Sequence, residues 1–167
     1  MTGSHKVFVY GTLKTGEPNH SVLLQPEGQF KFLGIATTVD AFPLVVGTHI
    51  NIPFLLYQRG GGVPVQGEVY EVDDRKLIRL DKLEKHPVFY ERKLEKVRMV
   101  DNEDAVHDAW MYFIPKWSDE FSSKCSVPIS SYTYNGTDHG RLYLSGRLRE
   151  TITYEEGATI PLQVLGH

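Results

Sequence analysis

The 167-residue chain has a single cysteine, Cys125, so no internal disulfide can form and nothing points to an oxidising compartment. It has no apolar run approaching the roughly 20 residues that a bilayer-spanning helix needs. Its first residues lack the charged-then-apolar pattern of a secretory leader. A cytoplasmic location with no membrane partner is expected. Basic charge is not in excess either. A net charge of −3 argues against nucleic acid as a partner, because such footprints are basic and clustered. The seven histidines are scattered without a pair at metal-ligand spacing, so no metal site is expected. No serine stands in a nucleophile-elbow context, and Cys125 lies in a polar stretch with no sign of an activated thiolate. Repeats and low-complexity linkers are absent. Gly3-Ser4-His5 has the composition of a cloning remnant and carries no functional expectation.

What remains is an ordinary soluble composition, 41% hydrophobic and 23% charged, in a chain long enough for one core. One domain over residues 1–167 is expected, with 144–167 as a C-terminal extension. The chain is organised around its opening stretch, Val7-Phe8-Val9-Tyr10-Gly11-Thr12-Leu13-Lys14. Val7 to Tyr10 are four consecutive β-formers with no polar face, which predicts a buried strand. Gly11 ends it and allows a sharp turn and a close approach to the main chain. The amides of Gly11, Thr12 and Leu13 would then lie free past the strand end, where they could seat a carboxylate or a developing oxyanion. Alone, the pattern also fits an ordinary strand-to-loop turn.

Further strands are expected at Phe30 to Val39, Phe42 to Val46, Asn51 to Tyr57, Val65 to Val72, Tyr90 to Val100 and Ala109 to Ile114. Ser21 to Leu24 reads as a short helix. A longer helix is expected from an Asp73 N-cap to about Lys85, with Asp74 in its first turn and Pro87 blocking continuation. From Pro115 onward the pattern weakens into turns. Many short strands with one solid helix make an α+β domain, a small curled sheet or barrel.

The long helix contains an anomaly. Leu77, Leu80 and Leu83 form its apolar stripe, and Glu84 falls seven residues after Leu77 and four after Leu80. It therefore projects from the same stripe. Burial among leucines and the carbonyl end of the helix both disfavour a fixed negative charge, which suits a carboxylate that exchanges protons. The bland alternative is a helix-end Glu that bends to solvent or pairs with Arg92. Asp81 borders the stripe and is expected to reach water; Glu68 could face either side of its strand.

Two features stand together: Tyr10-Gly11-Thr12-Leu13 after the first strand, and Leu80-Asp81-Lys82-Leu83-Glu84 before Pro87 and Tyr90-Glu91-Arg92. Between them lie Asn51-Ile52-Pro53-Phe54-Leu55-Leu56-Tyr57 and Gly67-Glu68-Val69-Tyr70-Glu71-Val72-Asp73. In this combination the chain resembles the γ-glutamylamine cyclotransferases of the γ-glutamylcyclotransferase (AIG2-like) family, from about Val7 to Ile114. A looser echo follows at Ser131-Tyr132 and His139-Gly140. The resemblance implies a small mixed barrel of six or so strands with flanking helices, Glu84 as catalytic acid/base, and a substrate loop at Tyr10, Gly11, Thr12 and Leu13. Tyr90 and Arg92 are second-tier substrate contacts. The implied reaction is intramolecular aminolysis of a γ-glutamyl amide, giving 5-oxoproline and a free amine with no cofactor, in a monomer. Two alternatives stay open: an enzyme for γ-glutamyl-amino acids or glutathione, and a non-catalytic binding module on the same fold.

Overall fold

The structure, a computed structural model, describes residues 3–136, 139–141, 143 and 163–165. Most of the expected extension at 144–167 lies outside the described residues. Among the described residues, the named strands and helices follow in the order β1 (His5–Val9), α1 (Ser21–Leu24), β2 (Phe30–Thr38), β3 (Leu44–Gly47), β4 (Ile52–Leu55), β5 (Gln66–Val72), α2 (Asp74–Leu83), β6 (Glu91–Met99), β7 (Val106–Phe113) and α3 (Asp119–Lys124). Five strands close a barrel in the order β1-β5-β2-β6-β7, with β1 antiparallel to β5 and parallel to β7. The α+β barrel matches the expectation, but with five strands rather than about six. β3 and β4 instead form their own hairpin, with Val46 opposite Pro53. Pro53 has no N–H for a further ladder. The hairpin meets β7 through the single bridge Leu56–Ile114.

The period-2 pleat explains why β1 has no polar face. Phe8 and Tyr10 point into the barrel with Ala36, Val69, Val97, Met111 and Phe113. Val7 and Val9 point outward, into a second layer with Tyr70, Val72, Tyr112 and the α2 residues Leu77 and Leu80. The hairpin contributes to both layers, Leu44 and Leu55 to the inner and Ile52 and Phe54 to the outer.

β1 starts at His5, whose imidazole lies 2.5 Å from Asp74, so that residue belongs to the barrel. Asp73 caps α2 as expected. Its carboxylate accepts from the Lys76 amide at 2.9 Å and from the Gln29 amide at 2.9 Å, bonds that hold its pKa below the ordinary range. Lys76 is fully buried. Its ammonium donates to the Gln25 carbonyl at 2.7 Å, and burial pushes its pKa down. The short helix α3, capped by the Ser118 hydroxyl on the Phe121 amide, went unread behind Pro115. Val164 is buried, and its carbonyl accepts from the Ser118 amide, so residues 163–165 pack back on the domain.

Candidate active site

α2 ends in a way that aims Glu84. Glu84 is its C-cap, and Lys85 follows with φ 54°. The Lys85 amide donates to Lys82 O at 3.2 Å and the His86 amide to Asp81 O at 2.9 Å, the bond pair of a Schellman cap. This cap leaves Glu84 on the leucine stripe, only 8% exposed. It faces the end of β1 across a cleft that opens to solvent.

One wall of the cleft is formed by Phe8, Val9 and the turn Tyr10, Gly11, Thr12, Leu13. The Lys14 amide closes that turn on Gly11 O at 3.1 Å. Among the described residues, the amides of Gly11, Thr12 and Leu13 have no acceptor. Gly11 is needed for close packing, not for a left-handed backbone. A Cβ there would meet Pro53 Cγ at 2.5 Å, so the close approach expected from the sequence is made by the chain's own β4. Asn19, fully buried, donates from its side chain to Thr12 Oγ1 at 3.0 Å and from its amide to Thr12 O at 2.8 Å, tying the turn to α1. Thr15 beyond it is held by Glu68, which accepts from the Thr15 amide at 2.8 Å.

The other walls are aromatic. Tyr90 and Tyr112 join Pro53 and Glu84 around the opening. The Tyr10 hydroxyl donates to Tyr112 O at 2.6 Å and the Tyr90 hydroxyl to Pro53 O at 3.0 Å, so both rings are anchored to backbone carbonyls. Tyr112 donates to Asp81 Oδ1 at 2.6 Å, and burial followed by that bond pushes its pKa well above the ordinary phenol range.

The structure thus brings Tyr10, Gly11, Thr12, Leu13, Glu84 and Tyr90 into one cleft and leaves Arg92 out of its lining. Arg92 is neither a cleft wall nor the partner of Glu84 that one form of the bland alternative offered, and the other form, a Glu84 turned to solvent, does not fit its 8% exposure. It binds Asp81 through two hydrogen bonds, Nε to Oδ1 at 2.9 Å and Nη2 to Oδ2 at 3.0 Å, and stacks on Trp110 at 4.3 Å. Asp81 therefore does not simply reach water. Pro53, Asn19 and Tyr112 were not read as site residues from sequence, and Asp81 was weighed there only as a residue expected to reach water. Only the β4 proline carried a visible signal, as a ring in an otherwise apolar strand. Among the described residues no three His, Cys, Asp or Glu cluster as metal ligands.

The cleft is lined by a buried carboxylate, by apolar and aromatic residues and by a turn whose amides have no acceptor among the described residues. That set can hold a small polar molecule and move one proton on it. Residues 7–135 match the γ-glutamyl cyclotransferase, AIG2-like family, a span that contains every residue lining the cleft. The chain belongs to this family. Within and around it, the chain is 41% identical over 145 residues to γ-glutamylaminecyclotransferase C of Danio rerio, covering 82% of this chain and 91% of the relative. It is 48% identical over 100 residues to γ-glutamylaminecyclotransferase of Rattus norvegicus, covering 59% of this chain and 67% of the relative. The crystal structure of an AIG2-like protein from Mus musculus superposes with a TM-score of 0.78 at 37% identity, covering 84% of this chain and 95% of that one. The family's barrel is the one described above.

Proposed function

We propose that this family member is a γ-glutamylamine cyclotransferase that releases 5-oxoproline and a free amine, such as lysine, from γ-glutamyl amides. The observation that carries the reading is the placement of Glu84, 8% exposed, in one cleft with Gly11, Thr12 and Leu13, whose amides have no acceptor among the described residues. The substrate's γ-glutamyl group lies folded between them, its α-nitrogen near its own γ-carbonyl, so attack is intramolecular and little translational entropy remains to be lost. Glu84 takes a proton from the α-ammonium. The freed amine attacks the carbon of the γ-carbonyl and the carbonyl electrons move onto oxygen. The turn amides hold that oxyanion or the α-carboxylate. Collapse of the tetrahedral species breaks the bond to the leaving nitrogen, which takes the proton back from Glu84, and the second proton, on the ring nitrogen, then passes through the Glu84 carboxylate to the expelled amine, which departs as its ammonium ion. The proton balance closes on a single carboxyl group, and no step draws on a cofactor. Tyr10 and Tyr90 contribute fixed walls that keep the chain folded.

The same reading takes residues 1–167 as one domain, with 144–167 as an extension, in a cytoplasmic monomer whose partner is the small-molecule γ-glutamyl substrate, not nucleic acid. No described helix is long and apolar enough to cross a membrane. The test is incubation of purified, folded protein with γ-glutamyl-ε-lysine, γ-glutamyl-alanine and glutathione, following 5-oxoproline. Preferred release from the lysine amide supports the reading. Preference for either of the others moves the assignment to the amino-acid or glutathione enzyme, and release from none favours a binding module.

A further inference from the structure

Two side chains converge on Asp81 through contacts that the chemistry above does not use. Arg92 gives it two hydrogen bonds, Tyr112 a third at 2.6 Å, and the two side chains of the ion pair are only 18% and 20% exposed. The Arg92 guanidinium also stacks on Trp110, and the Arg92 amide donates to His86 Nδ1 at 3.0 Å. Arg92 is thus held by a carboxylate, an indole and its own main chain. Asp81 and Glu84 stand three residues apart on α2, so their side chains share one face of the helix. Tyr112 feels the charges of both carboxylates and of Arg92.

We propose that Asp81 is a positioning residue for Glu84: it holds the Arg92 guanidinium away from the catalytic carboxylate and pins the Tyr112 wall of the cleft. The inference rests on the reading of Glu84 as the acid/base. An arginine beside that carboxylate would stabilise its charged form and make it a poorer proton acceptor. Asp81 supplies the stronger, two-bonded site and removes the competitor. Without the Asp81 charge, the carboxylate left on that face of α2, three residues further on, is Glu84. The charged and titratable groups on the elements that meet there include Asp81 on α2, Lys85, His86 and Tyr90 in the following loop, Arg92 on β6, Tyr112 on β7 and Tyr10 after β1.

Asp81→Asn keeps an acceptor for Tyr112 but removes the charge. Its kcat is expected to fall about tenfold or more with KM within a few-fold, and the acid limb of its kcat profile to move about one pH unit lower. Arg92→Gln leaves Asp81 uncompensated near Glu84, and its acid limb is expected to move higher. The double variant Asp81→Asn/Arg92→Gln is expected to return between them and regain most of the lost kcat. A second readout needs no turnover: the 13C-carboxyl resonance of Glu84 should titrate with the same order of midpoints in the three variants. Thermal unfolding checks that each is folded, and Arg92→Gln alone tests the sign if Asp81→Asn does not fold. Unmoved midpoints, or a double variant no better than Asp81→Asn, would overturn the proposal and leave Asp81 a structural residue. An inactive wild type on all γ-glutamyl amides would instead overturn the functional reading, while the carboxyl titrations would still decide this one.

Discussion

Substituting Gly11 with alanine tests how tightly the cleft depends on one contact. The added Cβ would sit 2.5 Å from Pro53 Cγ, about 0.9 Å inside the 3.4 Å at which ordinary contact begins. The proline ring cannot rotate away. It lies in the β3–β4 ladder opposite Val46, and its carbonyl accepts the Tyr90 hydroxyl at 3.0 Å. The turn at Gly11 to Leu13 must therefore give. Overpacking of this kind costs about 1–3 kcal/mol, a fall in Tm of roughly 2–4 °C for each kcal/mol in a domain of this size. The larger effect is on chemistry, because moving the amides by about 1 Å from productive geometry costs on the order of 100-fold. The assay is kcat/KM for 5-oxoproline release alongside urea unfolding. Gly11→Ala is expected to lose activity far beyond its loss of stability. Gly11→Ala/Pro53→Ala, which removes the colliding Cγ, is expected to recover at least about tenfold of it. A Gly11→Ala enzyme within about threefold of wild type, or a double variant no better than the single, would refute this reasoning.

Further outcomes follow from other positions. Asn19→Ala removes the buried bond to Thr12 Oγ1, and is expected to destabilise by about 1–3 kcal/mol in urea and to lower kcat by loosening the turn. Lys85 occupies a left-handed position at φ 54°, so Lys85→Gly is expected to stabilise by roughly 0.5–1 kcal/mol in the same assay. Burial raises the Glu17 pKa above 4.5 against the Tyr134 amide and Lys14, so its stability contribution is present below that value and lost as pH rises through the folded pKa. Glu17→Gln should therefore gain Tm relative to wild type between pH 4 and pH 7; a difference that stays flat contradicts this. Burial pushes the Cys125 thiol up to about 11, so it should resist a disulfide reagent at pH 8 until the chain is unfolded, and fast labelling of folded protein would contradict this.

How much of this was legible in the sequence depended on the range of the signal. The β1 run, the Asp73 cap and the α2 stripe are local patterns, and each led to the right element within a residue or two. Glu84 was readable because an i, i+4 spacing from Leu80 fixes a helical face without knowledge of the neighbours. The partners of Asp81 were not readable. Which carboxylate Arg92 chooses depends on β6 and β7 meeting α2 across the outer layer, a contact spanning 11 residues for Arg92 and 31 for Tyr112. Gly11 shows the same limit. Its need for a missing Cβ was legible, but the occupant of that space, Pro53, lies 42 positions on and follows only from how the hairpin folds over the turn. The strand count differed because β3 and β4 look like barrel strands by composition, while their buried faces on both sides serve a separate hairpin.

The most direct measurement is 5-oxoproline release from γ-glutamyl-ε-lysine by Glu84→Gln beside wild type, with circular dichroism to confirm the same fold. The account predicts that the variant loses nearly all turnover while keeping the wild-type spectrum. A folded Glu84→Gln protein that still turns over within a few-fold of wild type would contradict it.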